Sequence, residues 1–174
     1  MFDNDNMQDR LDFIVEMMMD DCQTILDTNR EAGIEHDDTD DCTGVYHGNT
    51  DVQQTIANAL IERSGIEVKD IFFNRAFLQV PLADPFIKDH NGVHVDIAQP
   101  HYAAVYYMND SDGDTLLYEQ NVYNTPFGSK NNVLVEHKRV SPKKGRIVLF
   151  DGARYHCSTQ PRENYRCIIN FVLI

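Results

Sequence analysis

The stretch Tyr102-Ala103-Ala104-Val105-Tyr106-Tyr107-Met108, Asn109-Asp110-Ser111-Asp112-Gly113-Asp114, Thr115-Leu116-Leu117-Tyr118-Glu119-Gln120 decides the fold. Two short runs rich in β-branched, aromatic and other apolar residues flank a cluster of turn formers, which reads as strand, turn, strand. Outward from this stretch the same grammar repeats. After Gly65, strand candidates fall at 69–80, 93–97, 102–108, 115–120, 133–138, 146–150 and 166–173, separated by clusters such as Ser141-Pro142-Lys143-Lys144-Gly145. No helical period interrupts them. That argues against a parallel α/β sheet and for an antiparallel sandwich or jelly roll.

The front of the chain reads differently. From Met7 to Asn29 the apolar residues Leu11, Ile14, Val15, Met18, Cys22, Ile25 and Leu26 recur at intervals of three and four, the stripe of an amphipathic helix that would stop at Gly33. His36 to Asp41 reads as a solvated loop. A second helix is predicted from about Thr50 to Arg63, with Thr50 and Gln53 as a capping box, Val52, Ile56, Ala59 and Leu60 as the buried face, and Gly65 as the stop. The 174 residues then make one domain, with 1–66 as helical support and 67–174 as the β core.

Composition narrows the function. With 28 acidic residues against 15 basic ones the formal charge is −13, which argues against duplex nucleic acid as a partner. The densest basic group, Lys138-Arg139 with Lys143-Lys144 and Arg146, reads as a solvated turn. Cys22, Cys42, Cys157 and Cys167 lack a C-x-x-C spacing and read as reduced, mostly buried residues. No basic-then-apolar leader and no membrane-length apolar run is evident, so the expectation is a cytoplasmic domain.

The chemistry concentrates in two places, His94-Val95-Asp96 and His156, the latter followed by Arg166. Residues two apart in a strand share a face, so His94 and Asp96 converge while Val95 faces away. Two histidines and a carboxylate can hold a metal and leave positions open. Thr159 to Asn164 is turn-like, and strands on either side of it are expected to form a hairpin that puts Arg166 deep in the barrel near His156. Arg166 begins a run that is apolar on both faces, where a guanidinium is costly unless an anion meets it. A carboxylate fits that guanidinium with two parallel hydrogen bonds.

Other candidates carry less. His36-Asp37-Asp38 repeats the triplet without strand character, and Asp110-x-Asp112-Gly113-Asp114 lacks a glutamate at the twelfth position of a calcium loop, where Asn121 stands. His90 and His101 flank the triplet and read as loop surface. Arg162, in the turn, is a weaker anion clamp than Arg166, and Arg75 on an earlier strand is left undecided.

The segments His94–Asp96, Val105–Asp110, Gly113–Tyr118, Pro142–Phe150 and His156–Phe171 together resemble the 2-oxoglutarate and Fe(II)-dependent dioxygenase superfamily, most closely its prolyl-4-hydroxylase-like branch and small members found in phage and bacterial genomes. The resemblance spans about 69–174. It implies a double-stranded β-helix, a jelly roll with N-terminal α-helices packed outside, and in a phage-encoded case a host-cytoplasmic location. It implies His94, Asp96 and His156 as catalytic Fe(II) ligands, Arg166 as the 2-oxoglutarate arginine and Tyr107 as a second contact to the distal carboxylate. O2 is the other cosubstrate, and ascorbate is a candidate reductant. The implied reaction hydroxylates an unactivated C–H bond and releases succinate and CO2. The implied substrate is a prolyl or other peptidyl side chain, or a small molecule, with neutral or basic targets favoured by the acidity of the chain. Where the family often has a second glycine, this chain has Asp114. Asp96 argues against the related halogenases, which carry a small residue there. Two other readings stay open, a non-catalytic jelly-roll binding module and a cupin-type metal enzyme that uses no 2-oxoglutarate.

Overall fold

The computed structural model describes residues 43–46, 51–82, 89–125 and 133–174. The first predicted helix, Cys22, Cys42, Thr50 and the His36-Asp37-Asp38 triplet lie outside them. The described elements are β1 (Thr43–Tyr46), α1 (Asp51–Ser64), β2 (Ile71–Gln79), β3 (Tyr102–Tyr107), β4 (Thr115–Asn121), β5 (Glu136–Val140), β6 (Ile147–Asp151), β7 (Arg154–Ser158) and β8 (Arg166–Leu173). They form two antiparallel sheets, five strands in the order β1-β2-β8-β3-β6 and three in the order β5-β4-β7. The architecture is mainly β, with one helix among the described residues, in the manner of a jelly roll.

The period of two assigns every layer. On β8 the odd residues Cys167, Ile169, Phe171 and Leu173 join Ala76, Leu78, Ala104 and Met108 beneath Val52, Ile56, Ala57 and Leu60 of α1. The helix therefore covers the outer face of the larger sheet. Ile168 of β8 turns the other way and packs between the sheets with Ala103, Val105, Tyr107, Leu117 and Phe150. A third cluster, Leu116, Tyr118, Tyr155 and Cys157, lies on the outer face of the smaller sheet and receives Val93 and Val95. All eight residues of β8 are buried, as expected of a strand hydrogen-bonded on both sides and covered on both faces.

Helix α1 follows its pattern with one exchange. Ala57, not Ala59, lies on the buried face, beside the wholly buried Gln53. Gly65 stops the helix at φ +68°, donating its amide to the Ile61 carbonyl at 3.1 Å, the left-handed cap glycine adopts cheaply.

Three expectations need correction. Residues 93–97 form no strand; His94 makes only an isolated antiparallel bridge to His156. Arg154–Ser158, left out of the predicted strands, is β7. β7 and β8 form no hairpin, because the turn between them passes from the smaller sheet to the larger. Asp112 anchors that turn by accepting the amides of Arg162, Glu163 and Asn164 at 2.8, 3.1 and 3.2 Å, so Arg166 starts in the opposite sheet and faces His156 across the interior.

Phe171 is fully buried under α1 whereas Phe72 is half exposed. Phe171→Ala is expected to cost about 3–5 kcal/mol, read as a lower unfolding midpoint in denaturant. Phe72→Ala is expected to stay within about 0.5 kcal/mol of the parent.

Candidate metal centre

His94, Asp96 and His156 meet at the mouth between the sheets. One ligand atom from each lies within 4.8 Å of the others. His156 comes from β7, and the paired amides and carbonyls of His94 and His156, at 3.0 Å in both directions, lock the loop carrying His94 and Asp96 against that strand. The sharing of a face by His94 and Asp96 survives although the segment is not a regular strand.

The donor set fits a divalent metal in three respects. Each histidine Nδ1 lies against a carbonyl, His94 on Gly92 at 2.9 Å and His156 on Arg154 at 3.0 Å. A carbonyl only accepts, so Nδ1 carries the proton and both Nε2 lone pairs are free to ligate. Burial and the adjacent His94 ring push His156 down to about 4, against the opposing pull of Asp96, which keeps this imidazole neutral near pH 7. Asp96 accepts the Asn170 side-chain amide on Oδ1 at 3.1 Å, while its Oδ2 is buried without a hydrogen-bond partner and lies 3.6 Å from His156 Nε2. An orphaned carboxylate oxygen beside two imidazoles whose Nδ1 atoms already lie against carbonyls is what a metal ion satisfies.

Arg166 lies on the inner face of β8, in the same cavity of about 200 Å³. It is buried at 3% exposure. It donates to Gln79 Oε1 and to Thr115 Oγ1, each at 2.9 Å, and its Nε has no partner. Among the described residues no carboxylate forms an ion pair with it. Burial lowers its pKa, opposed chiefly by the neighbouring Tyr107, yet an arginine stays charged. The cavity thus holds a desolvated cation awaiting an anion. Gly113 makes room for it, since a Cβ there would come within 2.9 Å of Arg166 Cδ and 3.3 Å of Pro161.

Tyr107 is fully buried. Its hydroxyl donates to Thr115 Oγ1 at 2.7 Å, and Thr115 stands between it and the cavity. Asp114 turns outward, where its carboxylate pairs with Arg139 at 3.2 Å. His90 is exposed, as expected. His101 is instead buried, with Gly152 so close that a Cβ there would lie 2.1 Å from the imidazole. Arg162 points to Asp89 at 3.6 Å on the surface, away from the cavity. Asp110 takes Lys143 at 2.8 Å, so the acidic turn and part of the basic group neutralise each other. Gln79, Thr115 and Asn170 are cavity residues that sequence reasoning missed. Their signal was a polar residue at an inward position of an otherwise apolar strand.

No family model matches the chain, and no curated protein matches it in sequence. Solved structures do match. The α-ketoglutarate-dependent non-heme epimerase SnoN of nogalamycin biosynthesis is 12% identical over 87% of this chain and 70% of its own, with a TM-score of 0.58. A prolyl hydroxylase from Trichoplax adhaerens, solved with a peptide fragment of a hypoxia-inducible factor, is 14% identical over 87% and 75%, with a TM-score of 0.52. A 2OG-Fe(II) oxygenase-family protein from Burkholderia pseudomallei, 15% identical over 72% of this chain, scores only 0.47, and the chain spans 59% of its length. SnoN and the Trichoplax prolyl hydroxylase share this chain's fold, and at these identities the likeness is one of fold alone.

Asn170→Ala is expected to leave the fold intact and to weaken metal binding roughly ten- to hundredfold. Titration with Zn(II) against a competing chelator checks it.

Proposed function

We propose that the chain is a 2-oxoglutarate-dependent dioxygenase that hydroxylates an unactivated C–H bond, with a prolyl or other peptidyl side chain as the substrate class. The observation that carries this reading is the buried Arg166, without an acidic partner among the described residues, in one cavity with His94, Asp96 and His156. The fold shared with α-ketoglutarate-dependent enzymes supports it, and the peptide bound to the Trichoplax protein favours a peptidyl target.

His94, Asp96 and His156 would hold Fe(II). When bound, that ion supplies the activation of O2, which no side chain can. The side chains orient and exclude. Arg166 pairs with the distal carboxylate of 2-oxoglutarate and fixes the reach of the cosubstrate toward the triad. Thr115 Oγ already accepts from Arg166 and Tyr107, so its own proton is free to donate to that carboxylate. Tyr107 then acts through Thr115 as a positioning residue. Asn170 orients Asp96, and Ile168, Val105 and Phe77 shield the cavity from water. The balance is substrate C–H plus 2-oxoglutarate plus O2 to substrate C–OH plus succinate plus CO2, with one oxygen atom of O2 in the alcohol and the other in succinate.

Arg166→Ala is expected to leave Zn(II) affinity within about threefold while weakening 2-oxoglutarate roughly ten- to hundredfold, the loss of a charge-assisted pair. His94→Ala and Asp96→Ala are expected to abolish succinate release. Unchanged cosubstrate affinity in the first variant would point to a metal enzyme without 2-oxoglutarate, and full activity in either of the others would remove the triad assignment.

A further inference from the structure

Arg75 is a second arginine in the same cavity, at the other end. It lies on the inner face of β2, paired in register with Asn170, while Gln79, four residues on, pairs with Arg166. Four residues span about 13 Å of strand, so a small dicarboxylate held by Arg166 does not also occupy Arg75. The guanidinium is clamped between neighbours on its own strand, 4.5 Å from the centroid of the Phe73 ring and 4.9 Å from that of Phe77. These contacts hold the group in one place before any ligand arrives. Its side chain is 31% exposed, so the cation is reachable from outside.

Its only acidic neighbour within 4 Å among the described residues is Asp96, at 3.8 Å, too long for a hydrogen bond. Asp96 already serves Asn170 and the candidate metal position. A divalent ion on one carboxylate and two neutral imidazoles leaves the triad at a net charge of about +1. Arg75 then faces a like charge and keeps no counterion. In a chain of net charge −13, the Arg, Lys, Asp and Glu residues that line this cavity are two arginines, Arg75 and Arg166, and one aspartate, Asp96. Contacts within a Debye length of about 8 Å follow local rather than total charge.

We propose that Arg75 selects the substrate by pairing with a carboxylate that the substrate carries beside the carbon to be oxidised. The proposal rests on the reading under Proposed function and narrows its substrate class to carboxylate-bearing molecules, replacing the neutral or basic target that net charge favoured. The carboxylate has two sources, a free α-carboxylate or an acidic side chain within a peptide.

The test uses the full chain with Zn(II) and saturating 2-oxoglutarate, and reads the Arg75 Nε–H resonance by ¹H–¹⁵N spectroscopy. The probes are N-acetylglycine for an α-carboxylate, N-acetyl-isoglutamine for a side-chain carboxylate, and N-acetylglycinamide as the uncharged control. At least one carboxylate is expected to shift the resonance saturably, with at least tenfold preference over the amide, and the stronger of the two identifies the source. No preference over the amide overturns the proposal. The same titration followed on the Ile168 methyl group, at the cavity wall, is expected to weaken at least tenfold in Arg75→Gln and less in Arg75→Lys. Zn(II) affinity is not lowered in either, since Arg75→Gln removes a neighbouring cation and Arg75→Lys exchanges one cation for another. Carboxylate binding by Arg75→Gln equal to that of the parent also overturns it. Failure of Zn(II) or 2-oxoglutarate to bind removes the dioxygenase reading and, with it, the premise that Arg75 loses Asp96 as its counterion; absence of preference with both bound overturns the Arg75 proposal alone.

Discussion

Strand β8 is buried along its whole length and hydrogen-bonded to β2 and β3 at once. The rest of the molecule is arranged around that constraint. Its odd residues need an apolar cover, which α1 provides. Its even residues face the interior, and two of the four, Arg166 and Asn170, are polar. Each must find a partner or a purpose there. Asn170 finds Asp96. Arg166 finds only the neutral Gln79 and Thr115. An unbalanced guanidinium in the middle of a core strand is a cost that a bound anion converts into affinity.

The cavity is therefore polarised along β2 and β8. One end offers Arg166 for an anion sealed from water. The middle offers two imidazoles and an orphaned carboxylate oxygen, a donor set for a divalent cation. The other end offers Arg75, braced by Phe73 and Phe77 and open to solvent. Two cationic ends about a metal-binding middle suit a chemistry in which a dicarboxylate cosubstrate and the substrate approach from different directions.

Much of this was legible in the sequence, because a period of two is a strong signal when both faces are buried. The parity of Arg166, Ile168 and Asn170 against Cys167, Ile169 and Phe171 fixes which face each joins. His94 and Asp96 were legible as a pair, with Val95 correctly turned to the outer cluster. What the chain concealed depends on contacts far apart in sequence. Residues 93–97 look like a strand but are held by one bridge to His156. Arg154–Ser158 is short and polar at both ends, and only pairing with β4 makes it β7. The passage of the turn at 159–164 between sheets is set by Asp112, some fifty residues upstream. Tyr107 entered through the resemblance, as a second contact to the distal carboxylate; that its hydroxyl meets Thr115 was not legible. His101 read as surface because a histidine beside a proline looks like a loop, and the glycine that accommodates it, Gly152, is distant in sequence.

The most direct test of the central claim is optical titration of the anaerobic protein with Fe(II) and then 2-oxoglutarate. The account expects a visible metal-to-ligand charge-transfer band that appears only when both are present. The band should disappear in Asp96→Ala and require much more 2-oxoglutarate in Arg166→Ala. Stoichiometric Fe(II) binding with no such band at any 2-oxoglutarate concentration would contradict it.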